Sequence, residues 1–184
     1  MNASCDETLT LQETASHGPL TIELWIAREL CLQPLPQTTM LSDAPLQVRV
    51  KNTGPTPVQL VAAVPDAVFV TRVWDADRPA APLDMSEGPP PESVPTTTVD
   101  IASGEAWETA PLSGYLNFLS PDLLEGTYMG DGTALDPALK LRRVVGLEVR
   151  FAASVNSGTG FAPVVQTLKG SIEAVVLPMK QDAQ

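Results

Sequence analysis

At 184 residues, 43% of them hydrophobic and 18% charged, the chain is long enough for one substantial core and too apolar for a disordered segment. Its 22 acidic residues against 11 basic ones give a formal charge of −11. That surface repels a phosphate backbone, and no basic cluster exceeds the pair Arg142 and Arg143, so nucleic acid is not expected as a partner.

The start, MNASCDETLTLQETASHG, has no basic region followed by an apolar run, as a secretory signal would. No window reaches the roughly 18 apolar residues that a transmembrane segment needs. A cytoplasmic protein is therefore the default expectation. A trimmed exported or lipoprotein form is the alternative, because Ala3-Ser4-Cys5 resembles the end of a lipoprotein signal, with Cys5 bearing the lipid. Cys5 and Cys31 suit either a bridge or two thiols, and without an export signal free thiols are expected.

Residues 1–18 are polar and lack a sustained period. They read as an arm, or as a loosely attached first strand around Leu9 and Leu11. A β-sandwich domain is expected over 19–178, with a short tail at 179–184. It opens with LTIELWIAREL, where Ile22, Leu24 and Ile26 alternate as on a strand, although Ile22, Trp25, Ile26, Glu29 and Leu30 also fit a helix. The strand is taken, and Pro34 and Pro36 end it. In APLQVRVKNTGPTPVQLVAAV, Leu46, Val48 and Val50 alternate with Gln47, Arg49 and Lys51, and Val58, Leu60 and Ala62 resume the pattern. With Asn52-Thr53-Gly54-Pro55 as its turn, this segment predicts a hairpin.

After Pro65, AVFVTRVWD reads as a strand near the middle of a sandwich. The stretch 76–98, DADRPAAPLDMSEGPPPESVPTT, then breaks the rhythm with repeated prolines and predicts a long loop. TTVDIASGEAW sets Val99 and Ile101 on one face, turns at Ser103-Gly104 and starts another strand through Trp107. Ser120, Pro121 and Gly126 have the capping chemistry of one short helical turn, and GDG at 130–132 reads as loop. In LRRVVGLEVRFAASV, Leu147, Val149, Phe151, Ala153 and Val155 face inward and Glu148, Arg150 and Ser154 outward. KGSIEAVVLP, with Ile172, Ala174 and Val176, closes the sheet. The expected fold is all-β: an immunoglobulin-like antiparallel β-sandwich of about eight strands with one short helical turn.

The order of VRVKNTG, a strand ending in VWD, a proline-rich excursion, IASGEAWETAPLSGYL and EGTYMGDG resembles a widespread immunoglobulin-like domain. Intracellular protease inhibitors of the BsuPI kind are similar over roughly residues 20–155, as is the β-sandwich pro-region of deuterolysin-like metallopeptidases. The resemblance assigns structural roles to Asn52 and Gly54 at a turn, to Gly104 and Trp107 at the start of a strand, and to Gly126 and Tyr128 further on.

Reactive constellations are absent from the sequence. The single histidine, His17, rules out a HExxH zinc helix or a two-histidine metal site. It lies in a polar segment with no GxSxG elbow to serve. Gly158 and Gly160 form only GTG, without the lysine of a phosphate-binding loop. Asp75 with Asp77, and Asp131 with Asp136, are acid pairs without calcium-loop order, and they read as solvated loop charges. Trp25, Trp74 and Trp107 could form a sugar platform, but large aromatics at strand positions more often fill a core. No catalytic residue, metal site or cofactor is assigned.

The function expected is a non-enzymatic protein-binding module that inhibits or chaperones another protein. An accessory carbohydrate-binding or cell-surface module is the second reading, and a carboxylate-based hydrolase the third. Recognition is expected in the long loop, through Arg78, Pro79, Leu83, Met85, Pro89, Pro90 and Pro91. A proline-stiffened loop loses less entropy on docking, and loops of this length are functional or disordered.

Overall fold

The computed structural model describes residues 5–32, 46–63, 67–77, 79, 95–109, 141–156, 158 and 160–176. Alternation of buried and exposed side chains makes strands of them: β1 (Leu9–His17), β2 (Leu20–Ala27), β3 (Glu29–Leu32), β4 (Leu46–Asn52), β5 (Val58–Ala63), β6 (Val68–Asp75), β7 (Thr96–Ile101), β8 (Ala106–Glu108), β9 (Leu141–Asn156) and β10 (Phe161–Val176). They form two sheets. One has the order β1-β2-β4-β8, and the other has β3-β10-β9-β5-β7 with β6 also on β9. All pairs are antiparallel except β3 with β10. The expected all-β sandwich is the fold, built from ten described strands rather than about eight. The expected helical turn at Ser120, Pro121 and Gly126 lies outside the described residues, with Tyr128, Asp131 and Asp136.

The period-two faces read from the sequence meet in one core. Ile22, Leu24 and Ile26 of β2 and Val48 and Val50 of β4 are fully buried, as are Leu60 of β5, Leu147, Val149 and Phe151 of β9, and Leu168 of β10. Burying such side chains stabilises the fold by roughly 1.5–3 kcal/mol each. The helical alternative for 20–30 fails because β2 pairs residue by residue with both β1 and β4. The polar segment before it is more ordered than an arm, since β1 pairs with β2 from Leu9↔Ala27 to His17↔Leu20.

The predicted hairpin at residues 46–63 does not form. β4 belongs to the first sheet and β5 to the second, so the Asn52–Pro55 turn carries the chain across the sandwich. The two strands bury their inward side chains in the same core instead of sharing a ladder. β7 and β8 repeat the crossing through residues 102–105, where Gly104 takes φ 80°, a left-handed conformation suited to glycine. Arg28 makes a third crossing, between β2 and β3.

The flank where β1 approaches β10 is tightly closed. The backbone amide of Ser171 donates to Gln12 Oε1 at 3.3 Å, and that of Lys169 donates to Glu13 Oε2. Arg142 binds Glu29 and Glu173, each at 2.8 Å. The amide of Asp6, followed by Arg142, holds the Glu29 carboxyl below the usual range.

Cys5 is disulfide-bonded, and no cysteine is free among the described residues. This corrects the expectation of free thiols, which rested on the apparent lack of an export signal and not on geometry. The one other cysteine in the sequence is Cys31, on β3. The backbones of the two segments run together: the Glu29 amide donates to Asp6 O at 2.9 Å and the Arg28 amide to Thr8 O at 3.1 Å. Among the described residues no helix is long and apolar enough to cross a membrane.

Candidate protein-interaction edge

Of the residues expected to form a recognition loop, only Pro79 is described. Arg78, Leu83, Met85, Pro89, Pro90 and Pro91 lie outside the described residues. The start of the loop is fastened to the outer face of the six-stranded sheet. The Ala76 amide donates to Val144 O at 3.0 Å, and Arg72 Nη2 donates to the Pro79 carbonyl at 3.2 Å. The Arg72 guanidinium also sits 5.5 Å above the Trp74 ring, while Trp74 lies across Gly146 of β9, where an added Cβ would collide with the indole. Gly146→Val should therefore unseat Trp74 and shift its fluorescence to the red. The expected stability loss is about 1–3 kcal/mol, read by thermal unfolding.

The other candidates are not brought together. Trp25 pairs across from Gln47 on the outer face of the four-stranded sheet and donates to Glu23 Oε2 at 3.0 Å. Trp74 is on the outer face of the other sheet. Trp107 pairs with the buried Val50 and packs against the core, so the three form no common platform. Asp75 is buried at the end of β6 and accepts from the Asp77 amide at 2.9 Å, which makes the pair a local turn and not two carboxylates facing across a cleft. His17 ends β1, its Nδ1 3.5 Å from Gln166 Nε2. No group of three or more metal-ligating side chains assembles among the described residues.

Among the described strands β1, β6 and β7 each have a single ladder partner, β2, β9 and β5 respectively. An edge strand offers unpaired backbone groups to any passing chain unless it is short, charged, interrupted by proline or covered. β8 has three residues. β3 has four and is flanked by residues 6–8. Along β10, the contacts from Gln12 and Glu13 and the presence of Pro163 guard the stretch that β3 does not reach.

Among the described residues nothing covers β7, and it contains no proline. It runs for six residues, TTTVDI, with a single charge, and among the described residues only β5 pairs with it. Val99 of β7 and Trp107 of β8 both point inward, and each is only partly buried. The turn between these strands carries Glu105, and Asp100 accepts from Gln59 Nε2 at 3.1 Å. Neither carboxylate has a cationic partner among the described residues.

Thr96–Thr98, the first half of this strand, fall within the stretch 76–98 expected as a loop. The signal was present, since Thr96, Thr97, Thr98 and Val99 are a β-branched run of high strand propensity. No family model matches this chain, and no curated protein or solved structure matches it either.

Proposed function

We propose that the protein is a non-enzymatic protein-binding module that takes a strand of its partner onto β7. One observation supports this reading above the others. β7 is a six-residue, nearly uncharged, β-branched edge that pairs, among the described residues, with β5 alone. Strand addition draws affinity from main-chain hydrogen bonds and specificity from alternate side chains, so it needs no reactive constellation. The loop that leads into β7, with Arg78, Pro79, Leu83, Met85 and Pro89 to Pro91, is proposed to contribute to the same interface. Inhibition or chaperoning of the partner, as in the resembling inhibitors, is the finer form of this proposal. The disulfide at Cys5 favours an oxidising compartment over the cytoplasm. It also argues against lipidation there, since the bonded sulfur is no longer available for a thioether.

The test uses proline as a block. Successive amides of a strand point to opposite sides, so one of Thr97→Pro and Thr98→Pro spares the ladder to β5 while removing a donor from the open side. The ladder-sparing variant is identified by a thermal midpoint close to the parent's. It should bind a partner captured from the source extract at least tenfold more weakly in calorimetric titration. Unchanged affinity in that variant would refute strand addition at β7.

A further inference from the structure

Resting on the reading of β7 as a strand acceptor, we infer that its partner is an extended amphipathic segment with apolar side chains at alternate positions and basic residues at one end. A strand laid on β7 continues the six-stranded sheet, so every second side chain turns inward, toward the four-stranded sheet. The inward side chains there are Val99, across from the fully buried Leu60, and Trp107, across from the fully buried Val50. Both are apolar and both retain exposed surface, so apolar side chains entering there gain burial that polar ones would forfeit. The outward positions continue the row of Thr96, Thr98 and Asp100, which are exposed and leave room for polar residues.

Charge sets which end is basic. Asp100 and Glu105 flank the turn that joins β7 to β8, and both are exposed without a cationic partner among the described residues. Glu108 is already met by Arg49 at 3.4 Å. An arriving strand therefore meets unneutralised negative charge at the turn end and a threonine row at the other. The net charge of −11 adds long-range attraction for a basic chain, and among the described residues Asp100 and Glu105 are the ones that place that charge beside β7.

Two labelled eight-residue peptides test this on the full chain. Both alternate valine and threonine, and one ends in two arginines where the other ends in two glutamates. By fluorescence anisotropy the arginine peptide should bind at least tenfold more tightly. Its binding should shift tryptophan emission to the blue in the parent but not in Trp107→Phe. In the double variant Asp100→Asn, Glu105→Gln the preference should fall to within about threefold, whereas general attraction to an acidic protein would leave it nearly intact.

Equal binding of both peptides, still abolished by the ladder-sparing proline variant, would overturn the inference and leave strand addition standing. No binding of either peptide at millimolar concentration would also overturn it. Amides of Thr96–Ile101 as slow to exchange in the isolated monomer as those of β5 would mean that the chain covers this edge itself, refuting both readings. Concentration-dependent dimerisation that protects the same amides would replace the proposed partner with a second copy.

Discussion

Replacing Asn52 with alanine should destabilise the protein by about 3 kcal/mol, because one buried side chain ties together two crossings between the sheets. Asn52 is fully buried. Its Nδ2 donates to Thr56 O at 2.8 Å and to Ile101 O at 3.0 Å, and its Oδ1 accepts from the Gly54 amide at 3.0 Å. Its own backbone donates to Glu105 O at 2.9 Å and accepts from the Gly104 amide at 2.8 Å. The side chain thus holds the 53–57 crossing closed and pins the end of β7 to it. Alanine would strand three polar groups at once, and each costs about 1–3 kcal/mol when it is left without a partner and out of water. For a chain of this size the thermal midpoint should fall by roughly 6–12 °C.

Asn52→Asp sharpens the prediction. Aspartate keeps the acceptor for Gly54 but turns the two donor bonds into a carboxylate facing two carbonyls, in a site that opposes charge. The folded-state pKa of this aspartate would be raised above its unfolded value of about 3.9. Below that value both states bind the proton and the variant should resemble the alanine change or better it. As pH rises past about 4 the unfolded state releases the proton first, and stability falls until the folded pKa is passed. Urea denaturation at pH 3.5 and pH 7 relative to the parent should show the larger deficit at pH 7. A deficit independent of pH would mean that the site relaxes to admit water.

Why Asn52 was legible as a turn residue but not as a crossing follows from what a sequence encodes. Asn-Thr-Gly-Pro marks a reversal of the chain, and alternation at Leu46, Val48, Val50, Val58, Leu60 and Ala62 marks which side chains are inward. Neither distinguishes two strands joined edge to edge from two strands stacked face to face, since both arrangements bury the same residues. The inward faces of β2, β4, β5, β9 and β10 were therefore readable and the partners of β4 and β5 were not. β1 was obscured by its own irregularity. The register shifts between Leu11 and Glu13, which breaks the period, and Leu11 is 48% exposed, so the outer face looks as apolar as the inner. The open edge at β7 depends on which strands lie beside it, a property of topology that no local pattern carries.

Loss of the covalent tie at Cys5 should be the second large effect, and it acts mainly through the unfolded chain. The only other cysteine is at position 31, and closing a loop between positions 5 and 31 stabilises by about 3.5 kcal/mol on the chain-entropy account. The native state adds contacts that the tie keeps in place. The Asp6 amide donates to Glu29 Oε2 at 3.0 Å, the Glu29 amide returns to Asp6 O at 2.9 Å, and the Glu173 amide reaches Arg28 O at 3.2 Å. Residues 6–8 thus hold the crossing at Arg28, whose own carbonyl is bonded to β10. Cys5→Ser should lower the stability measured in urea by about 2–4 kcal/mol and speed amide exchange at Arg28 and Glu29 before it does so at Leu24 or Val149. Reductant should produce the same loss in the parent and none in the variant, which separates the bond from any effect of serine itself. A parent indifferent to reductant would mean that the hydrogen bonds at Asp6 and Glu29 hold this flank without the bridge.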